Sequence, residues 1–382
     1  MDFHLSKEHL LVRKMYREFA ENEVKPLAEE LDEEERFPME TVEKMAKLGM
    51  MGIYFPKQYG GAGGDVLSYA MCVEELAKVC GTTAVIVSAH TSLCCAPIFE
   101  NGTEEQKMKY LPDLLSGRKI GAFGLTEPGA GTDASGQQTT AVKNENGDYV
   151  LNGSKCFISN MGPTEGDYVV VIALTEPEKG VKGMSAIVVD RGTPGFTVGK
   201  REEKMGIRGA DISELIFEDC RVPRSNLVGK EGEGFKIAMM ALDGGRIGMA
   251  AQALGICEAA IAASVKYMGE RVQFGKPIGK NQGLQWYLAD MATRTEAAKA
   301  LILEAAVAAD NGQPLSKLAA MCKYYASENA VWVTNKALQI HGGYGYMRDY
   351  PIERMYRDAR IVPIYEGTSE VQKMVIAREV MK

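Results

Sequence analysis

The 382-residue sequence predicts a multidomain α+β protein in three parts: an N-terminal helical bundle, a middle antiparallel β-domain and a C-terminal four-helix bundle. Three observations predict it. Apolar residues recur at helical spacing through the first hundred or so residues. Short β-branched and aromatic runs separated by turn residues fill the middle third. After Gly229 a long stretch rich in Ala, Met, Leu and Ile restores the helical pattern. The length also asks for more than one unit, since single cores stop growing near about 250–300 residues. The expected boundaries are 1–119, 120–228 and 229–382.

In chain order, Ser6 is placed to cap a helix in which Leu11, Met15 and Phe19 recur every four residues, with Glu and Lys opposite. Further helices are expected from Met39 to Met50 and from Val66 to Val79, with Tyr59-Gly60-Gly61-Ala62-Gly63-Gly64 as a flexible turn. The character changes near Ile120. Strands are expected at Tyr149-Val150-Leu151, Tyr168 to Leu174, Ser185 to Val189, Phe196-Thr197-Val198 and Leu215-Ile216-Phe217. Asn146-Gly147, Asn152-Gly153 and Thr193-Pro194-Gly195 read as the turns between them, giving an antiparallel sheet or small barrel. Gly234 to Met268 is apolar almost all round, which predicts a helix buried in a bundle. Leu284 to Ala309, Ser316 to Gln339 and Val371 to Met381 continue the helical pattern.

Composition narrows the function. With 44 basic and 51 acidic residues the net charge is −7, which argues against nucleic acid as the main partner. No run of about 18 apolar residues is evident, so no membrane span is expected. The opening Met1-Asp2-Phe3-His4-Leu5-Ser6 lacks the basic and apolar regions of a signal peptide. Eight dispersed cysteines lack the Cys-x-x-Cys spacing of a zinc or redox site, and four histidines form no ligand cluster. These point to reduced thiols, a cytoplasmic protein and no metal.

Several segments are suited to chemistry. In Ile364-Tyr365-Glu366-Gly367-Thr368-Ser369 a carboxylate sits between an aromatic ring and a glycine. Shielding by Tyr365 would raise the Glu366 pKa toward that of a base working near neutrality, although a Glu in this setting also suits a plain helix end. Phe123-Gly124-Leu125-Thr126-Glu127-Pro128-Gly129-Ala130-Gly131-Thr132 carries hydroxyls on either side of a glycine turn, or is a surface hairpin. Asn152 to Asn160 places Phe157 and Ser159 on one side of a strand. Asp243 and Arg246 share a helix face, as a site or as a simple ion pair. Arg271 to Pro277 with Gln282, and Gln339 to Tyr346, complete the set. Gly129-Ala130-Gly131 and Gly343-Tyr344-Gly345 both lack the third glycine of a dinucleotide fingerprint, and there is no Walker-type Gly-Lys-Ser/Thr.

In this order and spacing the segments resemble the acyl-CoA dehydrogenase family over essentially the whole chain, and its short-chain, butyryl-CoA dehydrogenase-like branch of anaerobic bacteria in particular. That family has a helical–β–helical three-domain fold. The resemblance implies an FAD-dependent oxidoreductase interconverting a short-chain acyl-CoA and its trans-2-enoyl-CoA. Glu366 would move the α-proton while the β-carbon exchanges a hydride with flavin N5, and the Glu366 backbone N–H and a flavin ribityl hydroxyl would hold the thioester oxygen. Some branches carry the base on the internal helix just before the arginine of Asp-x-x-Arg. That position is Gly245 here, which leaves Glu366 as the base.

The resemblance also implies Phe123, Leu125, Thr126 and Thr132 beside the isoalloxazine and pyrophosphate, with Phe157 and Ser159 against the ring. Ser159 stands where the family usually has Thr, and Phe157 where some branches have Trp. Arg271, Phe274, Gln282, Gln339 and Gly343 would grip the adenine end of the neighbouring subunit's FAD, and Thr368 and Glu370 would hold the cofactor from the C-terminal side. Asn281 stands where an aromatic or histidine is more usual. For CoA the implied residues are Thr132, Asp243, Arg246, Gly367 and Arg378. The acyl pocket is expected between the helix carrying Ser88 to Leu93 and that carrying Gly245 to Gln252, where Gln252 would shorten it toward four carbons. A caffeoyl- or acryloyl-CoA reductase is the alternative, with an acyl-CoA oxidase and a non-catalytic flavoprotein subunit further off. Electron-transfer flavoprotein is the implied partner, and a dimer of dimers the implied assembly.

Overall fold

The computed structural model describes residues 5–162 and 166–382, so the leader reading made on Met1-Asp2-Phe3-His4 lies outside the described residues. Helix α1 (Lys7–Phe19) starts where the Ser6 hydroxyl accepts the His9 backbone N–H at 3.1 Å. Its buried stripe is Tyr16 and Phe19 with Val12 and Met15, whereas Leu11 is 68% exposed. A four-residue repeat drifts about 40° per step on a 100° helix, so Leu11 falls outside the face that Phe19 occupies. A π-helical turn at Ala20–Val24 leads to α2 (Ala28–Glu33) and α3 (Met39–Lys47). Asp65 caps α4 (Val66–Ala77), accepting the Ser68 N–H at 2.7 Å. Then α5 (Gly81–Ser88), a π-helical turn (Ala89–Cys95) and α6 (Ala96–Asn101) form one continuous rod, and a capping box at Thr103 and Gln106 opens α7 (Glu104–Leu115).

The middle part holds strands β1 (Gly121–Gly124), β2 (Thr140–Lys143), β3 (Tyr149–Ser159), β4 (Tyr168–Leu174), β5 (Met184–Asp190), β6 (Phe196–Arg201), β7 (Ile212–Val222) and β8 (Leu227–Val228). They form one sheet in the order β6-β7-β3-β2-β4-β5-β8, with β1 also on β4. Most neighbours are antiparallel, but β1 runs parallel to β4 and β2 meets β4 parallel at Thr140 and Leu174. The expected all-antiparallel sheet is therefore a mixed one: side-chain alternation marks a strand but does not encode its partner's direction. Asn152-Gly153 is likewise no turn. It lies inside β3 as a bulge against β7, with Gly153 at φ +139°. Every residue of β4 is buried, because Tyr168, Val170, Ile172 and Leu174 pack against the α6–α7 region while Val169, Val171 and Ala173 face the sheet's own core.

Helix α8 (Gly234–Glu270) begins the C-terminal part. A hairpin of β9 (Val272–Gln273) and β10 (Lys276–Pro277) follows, then α9 (Gln282–Asp310) and α10 (Ser316–His341). After Gly342 come α11 (Gly343–Tyr346), α12 (Ile352–Ile361) and α13 (Ser369–Val380). Helix α8 packs on α9, α10 and α4, and α13 lies against α10, so N- and C-terminal helices share one core. The rod Gly81–Asn101 and α8 are each long and apolar enough on average to cross a membrane by length and composition alone. Their most apolar windows are 89% and 72% buried inside the protein, which accounts for that apolarity as core packing.

Candidate active site

Glu366 sits in the short turn between α12 and α13, with φ +50°, followed by Gly367 at φ +88°. Consecutive left-handed residues reverse the chain sharply, and the glycine takes the second at no steric cost. The turn is braced from below. The Gly367 carbonyl accepts from Lys323 Nζ at 2.7 Å and from Gln372 Nε2 at 2.8 Å, and the Glu366 carbonyl accepts from Gln372 Nε2 at 3.2 Å. Although Glu366 as a residue is half-buried, its Oε2 is shielded from solvent and has no hydrogen-bond partner among the described residues. Burial pushes the carboxyl up to about 7, against the lowering pull of Lys323 and Arg246.

Gly245 on α8 does more than lack a carboxylate. A Cβ there would lie 2.2 Å from Glu366 Oε2 and 3.1 Å from Leu93 Cδ2, so the bare backbone makes room for the acid. One helical turn on, a Cβ at Gly248 would lie 2.2 Å from the Tyr69 hydroxyl and 2.3 Å from Ser88 Oγ. Those two hydroxyls hydrogen-bond at 2.8 Å in full burial. Next along α8, Gln252 donates to the Gly81 carbonyl at 3.1 Å and accepts from the Tyr365 hydroxyl. From Gly245, which faces Glu366 and Leu93, α8 runs on past Ser88 and Tyr69 at Gly248 to Gln252, so the two helices expected to flank an acyl pocket pack together here. Tyr69 had not been singled out from the sequence.

Arg246 is 4% exposed, hydrogen-bonded to Asp243, which also accepts from Ser316 Oγ. Its guanidinium reaches toward the turn, with Nη2 3.8 Å from where a Gly367 Cβ would stand, and its Nε is a buried donor with no partner among the described residues. Thr368 is the N-cap of α13, accepting the Val371 N–H at 3.3 Å, and Glu370 lies exposed in that first turn. Arg378 is exposed further along α13, paired with Glu379 at 3.3 Å.

The expected flavin segments converge. The Cys156 N–H donates to the Thr126 carbonyl at 2.9 Å, which lays the chain after β1 beside the end of β3. Phe123 and Leu125 are buried, Thr126 and Ser159 half-buried, and Thr132 exposed in the loop beyond. Phe157 is 65% exposed at φ +58°, an uncommon state for a bulky residue. An exposed aromatic face next to hydroxyl and backbone donors fits a planar heteroaromatic ring. Beneath this loop is a residue the sequence reading passed over. Lys155 is fully buried and donates to the Leu125 carbonyl at 3.1 Å, Gln137 Oε1 at 3.0 Å and Glu127 Oε1 at 2.7 Å. Its position just before the apolar run Cys156-Phe157-Ile158 was the available signal.

A separate cavity of about 620 Å³ is lined by Arg271, Phe274, Asn281, Gln339, Gly343 and Tyr344 among others. It brings together four of the five residues expected to grip an adenine, with Asn281 added. Gln282 is exposed at the start of α9 and does not line it. Phe274, at φ +51° and 96% exposed, forms a solvent-facing part of that lining.

The class of this helical–β–helical protein, with its shielded acid facing a cleared helix, follows from comparison with known families. Models of the N-terminal, middle and C-terminal domains of acyl-CoA dehydrogenase match residues 6–118, 122–220 and 232–381. The chain belongs to the acyl-CoA dehydrogenase family, oxidoreductases acting on CH–CH bonds. It is 59% identical to the acryloyl-CoA reductase (NADH) of Anaerotignum propionicum, over 100% of this chain and 96% of that protein. Its structure superposes on butyryl-CoA dehydrogenase from Megasphaera elsdenii with a TM-score of 0.98 at 50% identity, covering both chains fully. A chain from the structure of the electron transferring flavoprotein of Acidaminococcus fermentans, solved toward a mechanism of flavin-based electron bifurcation, also gives 0.98, at 53% identity and full coverage of both.

Proposed function

We propose that the chain is an FAD-dependent enzyme interconverting a short-chain acyl-CoA and its trans-2-enoyl-CoA, of the butyryl-CoA/crotonyl-CoA type. The observation that carries this reading is the desolvated Glu366 carboxyl, raised to about 7 and facing the space that Gly245 leaves open. A thioester α-proton is weakly acidic, so its removal needs a base poised near neutrality and donors for the enolate oxygen. Glu366 takes that proton in oxidation and returns it in reduction, and its backbone N–H is one of the donors. Bound flavin supplies the hydride acceptor, or donor, for the β-carbon.

Phe123, Leu125, Thr126, Thr132, Phe157 and Ser159 hold the flavin end of FAD, with Thr368 and Glu370 approaching from the C-terminal side. Arg271, Phe274, Gln282, Gln339 and Gly343 serve the adenine end on a neighbouring subunit, which makes the working unit at least a dimer and, by family habit, a dimer of dimers. The exposed Phe274 and the cavity behind it support this sharing. Thr132, Asp243, Arg246, Gly367 and Arg378 bind the thioester and CoA, with Arg246 at the reacting end because it is buried beside Glu366. The domains divide near residues 119 and 228. Electrons pass to and from an electron-transfer flavoprotein, a partner supported by the Acidaminococcus relative, and the enzyme works in the cytoplasm, in keeping with its eight free cysteines.

The test is spectroscopic. Purified protein should be yellow, and butyryl-CoA under anaerobic conditions should bleach the flavin band. Glu366→Gln should keep FAD and lose more than about a hundredfold in rate. Full activity in that variant places the base elsewhere. Acryloyl- and caffeoyl-type CoA esters in the same assay separate the alternative substrates, and rapid reoxidation by air would mark an oxidase.

A further inference from the structure

We infer that Lys323 is a positioning residue for the Glu366 base: it clamps the turn that carries the acid and provides the positive charge beneath it. The inference rests on reading Glu366 as the base. Lys323 lies on α10 and is 0% exposed. An ammonium sealed from water costs several kcal/mol unless its charge is compensated, so its presence asks for a reason. Its hydrogen-bond partner among the described residues is neutral, the Gly367 carbonyl at 2.7 Å, which Gln372 also engages at 2.8 Å. Two donors on one carbonyl fix the peptide that follows Gly367, and Gln372 also holds the Glu366 carbonyl at 3.2 Å. They hold Glu366, a non-glycine residue, in the left-handed region at φ +50°.

The charges around the acid single out Lys323. Facing Glu366 are Lys323 from α10, Arg246 from α8, Tyr69 from α4 and the adjoining Tyr365. Arg246 is committed to Asp243, which Ser316 also binds. The carboxylates that act on Lys323 besides Glu366 are Glu328 and Glu370; Glu328 already accepts from Ser369, and Glu370 is exposed. The Lys323 charge is therefore left for Glu366, where it opposes the desolvation that favours the protonated acid.

The test isolates the proton step. Holoenzyme is mixed in D2O with a 3-thia-acyl-CoA, whose β-position has no C–H to give up as hydride, and α-proton exchange is followed by ¹H NMR across pH. Lys323→Gln and Lys323→Met should move the midpoint of exchange up by about one unit, the size expected for loss of a close opposite charge. Lys323→Arg, which keeps the charge, should return it to within about 0.3 unit of wild type. Gln372→Ala, which weakens only the clamp, should slow the plateau rate about tenfold and leave the midpoint in place. Melting curves and FAD absorbance verify folding, and either neutral variant suffices. A neutral variant with an unmoved midpoint overturns the role of Lys323 while the base reading stands. Exchange that survives in Glu366→Gln overturns the base reading itself.

Discussion

Gly245→Ala separates catalysis from stability within one methyl group. The new Cβ would stand 2.2 Å from Glu366 Oε2, whereas ordinary contact is about 3.5 Å, so the carboxylate has to retreat by about 1 Å. The obstructing atom is the end of a side chain rather than backbone, and Leu93 Cδ2 at 3.1 Å needs only a small shift. Alanine also favours a helix interior over glycine by about 1 kcal/mol, which offsets local strain. The melting temperature should therefore stay within a few degrees of wild type. A misplacement of about 1 Å in a reacting group costs about 10²-fold, equivalent to about 2.7 kcal/mol of barrier. Stopped-flow reduction of the bound flavin by butyryl-CoA reads this directly, with FAD content and thermal melting measured on the same sample. A folded, FAD-loaded variant within about threefold of the wild-type rate would refute the claim that Gly245 makes room for the base.

Three further outcomes follow from buried charge. Because the Glu366 carboxyl is raised to about 7 by burial, the oxidation rate should climb with pH through about 7, and enoyl-CoA reduction should fall over the same range. Flat profiles there would contradict the assignment. The same shift affects stability. The folded acid holds its proton to about 7 while the unfolded one releases it near 4.5, so the contribution is full below 4.5 and is lost as pH rises through 7. Substrate-free Glu366→Gln should then become more stable than wild type above pH 7, which melting curves at pH 5 and 8 can check. Lys155→Met strands the Glu127 carboxylate, 6% exposed, on the backbone N–H groups of Gln138 and Thr139. Breaking such a buried pair costs about 3–5 kcal/mol, and urea unfolding together with a loosened hold on FAD should register it. Unchanged unfolding and FAD affinity would remove Lys155 from the support of the flavin loop.

Element type and order were legible in the sequence because side-chain periodicity is a local property. Helical spacing found α1, α4, α8, α9 and α10, and β-rich runs found β3 to β7. Failures came where the outcome depends on what packs against a segment. Leu11 counts as apolar in the pattern yet faces solvent, and Asn152-Gly153 has turn chemistry yet lies in a strand. Strand direction was illegible for the same reason, since β1 finds β4 across more than forty residues of chain.

The site divides along the same line. Glu366, Arg246, Phe157 and their companions were proposed from motifs whose residue types suit the chemistry. Gly245 appeared in the sequence as a position unable to act as a base, and only α8 packed against the 366–367 turn turned it into the space the Glu366 carboxyl occupies. Lys155 and Lys323 read as ordinary charged residues. Folding buries both of them fully, beside the 126–137 loop and the 366–367 turn. Sequence sets which groups are present, but the raised pKa of one carboxyl and the burial of two lysines arise from desolvation and fixed distances, and those exist only once remote segments have closed around them.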